Sequence, residues 1–85
     1  MNIYEELRKL LEDSLSIIYE KEEIKKDTHI VDDLGFNSIM IMQLFIKIEE
    51  TFEINIDEDI RYEDVLKVEN MLKYIQNKLE KKNDL

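Results

Sequence analysis

The chain has 85 residues, with one glycine, no proline, no cysteine and a formal net charge of −9. This length allows one small domain, and the lack of cysteine excludes a disulfide framework and a thiolate zinc site, as is usual in a reducing cytoplasm. So few turn-forming residues argue against an all-β fold, while the acidity argues against nucleic acid or anionic membranes as partners and favours basic proteins. Since neither a signal peptide nor an 18-residue apolar run is present, we expect a cytoplasmic protein.

The first segment, about residues 3–19, predicts an amphipathic helix. Its apolar residues recur at steps of three and four, so they form one stripe, and charged residues lie outside it. The stripe consists of Ile3, Leu7, Leu10, Leu11, Leu15 and Ile18.

Residues 20–37 lose this periodicity and predict a long loop. A loop of this length in a small domain is either functional or held in place by its apolar side chains. The single glycine, Gly35, lies near its end and indicates a turn. The apolar residues of the loop are Ile24, Ile30, Val31, Leu34 and Phe36.

A second helix is predicted over about residues 38–52, with Asn37 or Ser38 as its N-cap. Placed on a helical wheel, its apolar side chains separate into two groups. The predicted core face carries Ile41, Leu44, Phe45, Ile48 and Phe52. The second group, here named the docking strip, consists of Ile39, Met42 and Ile46. On so small a domain this strip either meets another helix or is exposed for a partner.

The acidic sequence DEDIRYED follows Ile56 and predicts a short helical segment, about residues 57–65. A last helix is predicted over about residues 68–80 from the spacing of Val68, Met71, Leu72, Ile75 and Leu79. Three long helices and one short helix predict an all-α, four-helix antiparallel bundle, formed by residues 1–85 as one monomeric domain.

The sequence offers little for catalysis or metal binding. His29 is the sole histidine, so a nucleophile–base pair would have to combine it with a serine. A lone histidine in a polar loop is more often an exposed residue, and we therefore expect no enzyme. Residues 57–64 lack the glycine and the terminal glutamate of a calcium-binding EF-hand loop, so no metal site is expected either.

The sequence DLGFNSI, residues 33–39, stands at the beginning of the second helix. One interpretation is structural: the glycine makes a turn, Asn37 or Ser38 caps the helix, and Leu34 and Phe36 enter the core. The other is that Ser38 presents its hydroxyl at a helix N-terminus, where unpaired N–H groups favour a phosphate. A serine modified by a separate enzyme needs no catalytic base of its own.

The stretch DDLGFNSIMIMQLFIKIEETFEINI, residues 32–56, resembles the signature of acyl and peptidyl carrier proteins, usually D-x-L-G-x-D-S-L and then a helix ending E-E-x-F-x-I-x-I. The similarity extends over nearly the whole chain. It implies a carrier-type bundle in which a phosphopantetheinyl transferase attaches 4′-phosphopantetheine from coenzyme A to Ser38. The chain would then carry acyl or aminoacyl groups as thioesters between loading and processing enzymes.

Several positions depart from the family pattern. Asn37 replaces the usual aspartate, which often helps the transferase to recognise its target, and Ile39 replaces leucine. Together the departures favour a specialised carrier, of the nonribosomal peptide or polyketide type, over housekeeping fatty-acid synthesis. The other differences are Met40 and Gln43 in place of acids, Asp57 in place of proline, and Lys67 in place of threonine.

The docking strip lies next to Ser38 on a face that the core does not need, so we expect it to contact partner enzymes. The alternative is that Ile39 or Met42 packs under the preceding loop. A hypothesis of another class is an unmodified acidic adaptor that binds its partner through the same strip. The expected partner-binding residues are Asn37, Ile39, Met42, Ile46, Glu49 and Glu50.

Overall fold

The computed structural model describes residues 2–15 and 24–83. Within these ranges it has three α-helices and one short 3₁₀ helix, and its only β-type pairing is an isolated antiparallel bridge between His29 and Lys67. The predicted all-α fold class is confirmed. The helices are α1 (Ile3–Leu15), α2 (Ser38–Phe52), the 3₁₀ helix (Tyr62–Asp64) and α3 (Val68–Asn83).

Helix α1 supplies one side of the core. Leu7, Leu11 and Leu15 are buried, as their spacing predicts, and Ile3 and Leu10 pack against the core while half-buried. Residues 16–19 of the predicted helix, with Ile18, lie outside the described residues.

One face of α2 packs into the core. Helix α1 contacts both α2 and α3. Phe45 is half-buried at the edge of that face. From α3, Leu79 packs at the edge of the same core. The buried residues of the two helices are Ile41, Leu44, Ile48 and Phe52 from α2, and Val68, Met71, Leu72 and Ile75 from α3.

The long loop before α2 is held in place by apolar side chains and by backbone pairing. Four of its five apolar residues are buried: Ile24, Ile30, Leu34 and Phe36. The Ile30 N–H donates to the Leu66 carbonyl over 2.9 Å, and the Val68 N–H donates to the Thr28 carbonyl, also over 2.9 Å. These two bonds flank the His29–Lys67 bridge, so the loop is fixed to the beginning of α3.

The acidic segment between α2 and α3 forms less helix than expected. Only Tyr62–Asp64 is helical, as a 3₁₀ turn, and the segment is instead tied to α3 by a polar cluster around Asp57. The Tyr74 hydroxyl donates to Asp57 Oδ2 over 2.8 Å, Lys78 Nζ donates to Oδ1 over 2.7 Å, and the Asp57 N–H donates to the Tyr74 oxygen over 3.0 Å. The hydrogen bonds from Lys78 and Tyr74 lower the pKa of the Asp57 carboxyl.

Helix α3 runs to Asn83, three residues past the expected end near residue 80. No glycine or proline follows residue 80 to stop it, and Lys81 and Lys82 in the last turn suit the negative end of the helix dipole. Lys82 Nζ also donates to the Glu53 carbonyl over 2.8 Å. Glu53 ends α2 in the left-handed conformation, with φ 55°.

Two neighbouring substitutions in α2 test the division between its buried and exposed faces. Leu44 is 0 % exposed and Met42 is 56 % exposed. We expect Leu44→Ala to lower the free energy of unfolding by about 2–5 kcal/mol, because a buried cavity is left. Met42→Ala should change it by less than about 0.5 kcal/mol. Urea denaturation followed by circular dichroism measures both, and equal losses would contradict the assigned faces.

The Asp57 cluster predicts a specific pH dependence of stability. The folded state lowers the pKa of Asp57 below its ordinary value of 3.8, so its stabilising effect is complete above that value and is lost as the pH falls through the lowered pKa. Asp57→Asn should therefore destabilise the protein at pH 7, and the difference from the unsubstituted protein should shrink in strong acid. Denaturation midpoints across this pH range measure the difference.

The matched control is Glu58→Gln, since Glu58 is an exposed acid on the same segment. Its effect on the midpoint should be small at every pH. A destabilisation by Asp57→Asn that stayed constant from pH 7 into strong acid would contradict the role given to the charged carboxylate.

Candidate functional site

A tight turn leads the chain into α2. Gly35 has φ 75°, a conformation that costs glycine little because it has no Cβ atom, and its N–H donates to the Val31 carbonyl over 3.0 Å. The Phe36 N–H then donates to the Ile30 carbonyl over 2.9 Å, and the Phe36 ring is buried. The path of the backbone into the helix is therefore defined on both sides of the glycine.

Asn37 is the N-cap of α2, which decides between the two residues that the sequence left open. Its backbone is extended, and its side-chain oxygen Oδ1 accepts a hydrogen bond from the Met40 N–H over 2.9 Å. The Asn37 carbonyl accepts the Ile41 N–H over 3.0 Å. Asparagine thus makes the capping bonds that an aspartate would make at this position, without its charge.

Ser38 is the first residue of α2, and its side chain is exposed. Because Asn37 caps the helix, the Ser38 hydroxyl is not needed for capping. The first N–H groups of a helix have no partner within the helix and carry its partial positive charge. The structure therefore places an accessible hydroxyl beside groups that attract an anion.

The docking strip is exposed. Ile39, Met42 and Ile46 have 66 %, 56 % and 52 % of their surface accessible, so none of the three lies under the preceding loop. The strip begins directly after Ser38 and follows one face of α2 away from it. A row of accessible apolar side chains next to the serine is suited to transient contact with another protein.

The two glutamates near the end of α2 differ in their surroundings. Glu50 is exposed, whereas Glu49 is half-buried and its Oε2 accepts the Ile56 N–H over 2.9 Å. Glu49 therefore fixes the chain where it leaves α2. Glu50 is the more accessible carboxylate next to the docking strip.

Tyr62 is an exposed aromatic residue that the sequence did not indicate as part of the site. Its ring packs edge-on against Phe45, with centroids 5.3 Å apart, and 45 % of its surface remains accessible. It begins the short 3₁₀ helix of the acidic segment, which is too short for a periodic pattern to have placed the residue against α2.

The imidazole of His29 is not simply exposed, as the sequence suggested. Its side chain is 25 % accessible, and Nδ1 accepts hydrogen bonds from the backbone N–H groups of Val31 and Asp32. A local acceptor role of this kind depends on the conformation of the turn, which periodicity does not reveal.

Within residues 2–15 and 24–83, no three histidine, aspartate or glutamate side chains come together in a way that could hold a metal ion. None of the helices that the structure describes is both long enough and apolar enough to span a membrane.

Comparisons with known proteins agree on one family. The family model for the phosphopantetheine attachment site matches residues 5–75. The acyl carrier protein of Nitratidesulfovibrio vulgaris (strain DSM 19637 / Miyazaki F) is 36 % identical over 78 residues, which cover 92 % of this chain and 99 % of that protein. The acyl carrier protein of Campylobacter lari is 30 % identical over 77 residues, covering 91 % and 96 % respectively.

The family match covers most of α1, all of α2 with Ser38, and the first half of α3, and it agrees with the helical bundle described above. Such proteins carry a 4′-phosphopantetheine prosthetic group and are not themselves catalysts. The chain belongs to the acyl carrier protein family.

Proposed function

We propose that Ser38 is the attachment site of 4′-phosphopantetheine, and that the chain, as a single carrier domain, shuttles acyl or aminoacyl groups between biosynthetic enzymes. The observation that carries this proposal is the exposed position of Ser38 as the first residue of α2, within the DLGFNSI sequence. The prosthetic group supplies a terminal thiol on which cargo is held as a thioester.

The residues around Ser38 fit a phosphodiester. Asn37 Oδ1 accepts the Met40 N–H. The N–H groups of Ser38 and Ile39 lie at the positive end of the helix dipole. Asn37 brings no charge to the position before the serine, so it adds no repulsion to a phosphate. The exposed hydroxyl is within reach of an external transferase.

The docking strip is the proposed contact surface for the transferase and for loading and processing enzymes. Its three side chains offer a small apolar area, and methionine adapts to differently shaped partners. A contact of this size gives weak and transient binding, which a shuttle requires, because it must leave each enzyme after its step.

Acidic side chains beyond the docking strip are proposed to steer basic partners. Residues 49–64 contain eight acids and one arginine, whereas residues 36–48 contain one lysine and no acid. Of the acids in this segment, Glu49 and Asp57 are bound to the chain's own groups, while Glu50 is exposed. Glu50 therefore supplies the charge next to the strip, and long-range attraction mainly raises the association rate.

We propose a specialised carrier, of the nonribosomal peptide or polyketide type, acting as a monomer in the cytoplasm. The support comes from the positions that depart from the usual pattern, since Asn37, Gln43 and Asp57 each change the charge or shape offered to partners. Intact-mass measurement of the protein from its native host would identify the retained acyl group. Cargo typical of fatty-acid synthesis would contradict the specialised role.

The alternative of an unmodified adaptor uses the same strip without Ser38. Membership of a family that carries a prosthetic group weighs against it. The two hypotheses differ in one result, which is whether the serine accepts the group.

The attachment site is tested by Ser38→Ala. Incubation with coenzyme A and a broad-specificity phosphopantetheinyl transferase should add the mass of one phosphopantetheine group to the unsubstituted protein. The same treatment should leave Ser38→Ala unchanged, because the accepting oxygen is absent. Intact-mass spectrometry measures both. Failure of several transferases to modify the unsubstituted protein, or a mass gain that persists in Ser38→Ala, would overturn the assignment.

The docking strip is tested by Ile46→Glu. A charge in the apolar contact should slow loading by partner enzymes by about tenfold or more, since an unpaired buried carboxylate costs more than about 1.4 kcal/mol. The helical circular dichroism should not change, because Ile46 is exposed. Lys47→Gln, at the next exposed position of α2, changes the net charge by the same one unit and controls for charge alone. Unchanged loading by Ile46→Glu, or an equal effect of Lys47→Gln, would remove the role given to the strip.

A further inference from the structure

The chain that precedes Ser38 forms a hydrogen-bonded turn over residues 30–34, and His29 caps its beginning. The Asp33 N–H donates to the His29 carbonyl over 2.8 Å, and the Gly35 N–H donates to the Val31 carbonyl over 3.0 Å, both with the four-residue spacing of an α-helix. His29 Nδ1 accepts the N–H groups of Val31 and Asp32 over 3.2 and 3.0 Å. A histidine ring thus does what serine or asparagine usually does at an N-cap.

The capping is reciprocal. Asp33 Oδ2 accepts the His29 N–H over 2.8 Å. The His29 side chain thus accepts backbone N–H groups within the turn, and the Asp33 side chain accepts the backbone N–H of His29. This is the logic of a capping box, with histidine in place of serine and an aspartate one residue later than usual. Because Nδ1 faces two donors, it has to be the unprotonated nitrogen of the ring.

His29 also lies where two constraints on the loop meet. On one side, its backbone is bridged to Lys67 at the beginning of α3. On the other side, the capped turn passes through Gly35 to Asn37, which begins α2. The capped turn therefore connects the bridge at the beginning of α3 to the residue that caps α2.

We propose that His29 is a positioning residue for the modification of Ser38: its Nδ1 cap, with Asp33, holds the turn in the conformation that presents the serine to the phosphopantetheinyl transferase. The inference rests on the proposed attachment at Ser38. His29 takes no part in the transfer itself, and acts only through the backbone of residues 30–37.

The cap raises the fraction of carrier molecules in which the turn is ordered, and only these molecules bind the transferase. Apparent affinity for a partner falls in proportion to the binding-competent fraction. Removing an N-cap acceptor shifts the local equilibrium toward the frayed turn by a factor of about 5. Helix α2 is held in the core by its own buried side chains, Ile41, Leu44 and Ile48. Because these contacts do not involve the turn, the helix is retained when the turn frays. The Michaelis constant of the transferase for the carrier should rise, and kcat should stay the same.

A competing arrangement is available to the ring. Asp32 Oδ2 lies 3.7 Å from Nδ1, and a protonated imidazole paired with this carboxylate would be a donor and no longer a cap. Nitrogen-15 spectra of the histidine distinguish the two, because they report which ring nitrogens carry a proton. Because Nδ1 accepts two backbone N–H groups, we expect the tautomer with a bare Nδ1 and a proton on Nε2. A proton on Nδ1 would overturn the proposal whatever the kinetics show.

The kinetic test uses two substitutions at one position. His29→Ala removes the acceptor and should raise the Michaelis constant, by at most about fivefold. His29→Asn also removes the ring, but keeps a side-chain oxygen that caps well, so it should restore a value close to that of the unsubstituted protein. If the ring contacted the transferase directly, both variants would fail alike, and that result would overturn the proposal.

Tyr74→Phe is the control for general stability. It removes hydrogen bonds from the Asp57 cluster and leaves the turn before Ser38 intact. Its Michaelis constant should match that of the unsubstituted protein, since a mildly destabilised carrier is still almost entirely folded. An equal rise for Tyr74→Phe and His29→Ala would overturn the positioning role.

The two proposals fail in different ways. No modification of the unsubstituted protein at Ser38 would refute the attachment site. Normal modification of that protein, together with an unchanged Michaelis constant in His29→Ala, would refute only the role of His29.

Discussion

The burial of one face of α2 against the core is the interaction on which the rest of the structure depends. Leu44 and Ile48 are almost completely removed from solvent, which fixes the rotation of the helix about its axis. Once that rotation is fixed, Ile39, Met42 and Ile46 have to face outward, since they lie at other angles on the same helix. Core packing thus determines both where Ser38 stands and which side chains accompany it on the surface.

A second constraint is the scarcity of turn-forming residues, with one glycine and no proline in the chain. Its irregular segments are held by side chains that accept backbone N–H groups, because unpaired backbone donors are costly where they are shielded from water. His29, Asn37 and Glu49 each accept such bonds, at the turn before α2, at its N-cap and at its exit. The Tyr74 oxygen does the same for Asp57. In this carrier, polar side chains therefore fix the conformation of irregular segments where glycine and proline residues are scarce.

The sequence predicted best what depends on periodicity. The two faces of α2 follow from residue spacing alone, and the buried and exposed sets match the wheel, with Phe45 at the boundary. Capping was harder, because Asn37 and Ser38 are both good caps and only the observed bond to Met40 separates them. The contacts of Asp57 with Tyr74 and Lys78 join residues 17 and 21 positions apart, and no local pattern encodes that pairing. The acceptor roles of His29 and Glu49 were missed for another reason, since they depend on the conformation of irregular backbone, which periodicity does not reveal.

The central claim is that Ser38, at the beginning of α2, carries the prosthetic group in the living cell. Peptide mapping by tandem mass spectrometry of the protein purified from its native host tests this most directly. We expect one phosphopantetheine group, located on Ser38, in the peptide that contains the DLGFNSI sequence. A phosphopantetheine group on any other residue would contradict the account. So would a protein that remains unmodified in the native host while its partner enzymes are expressed.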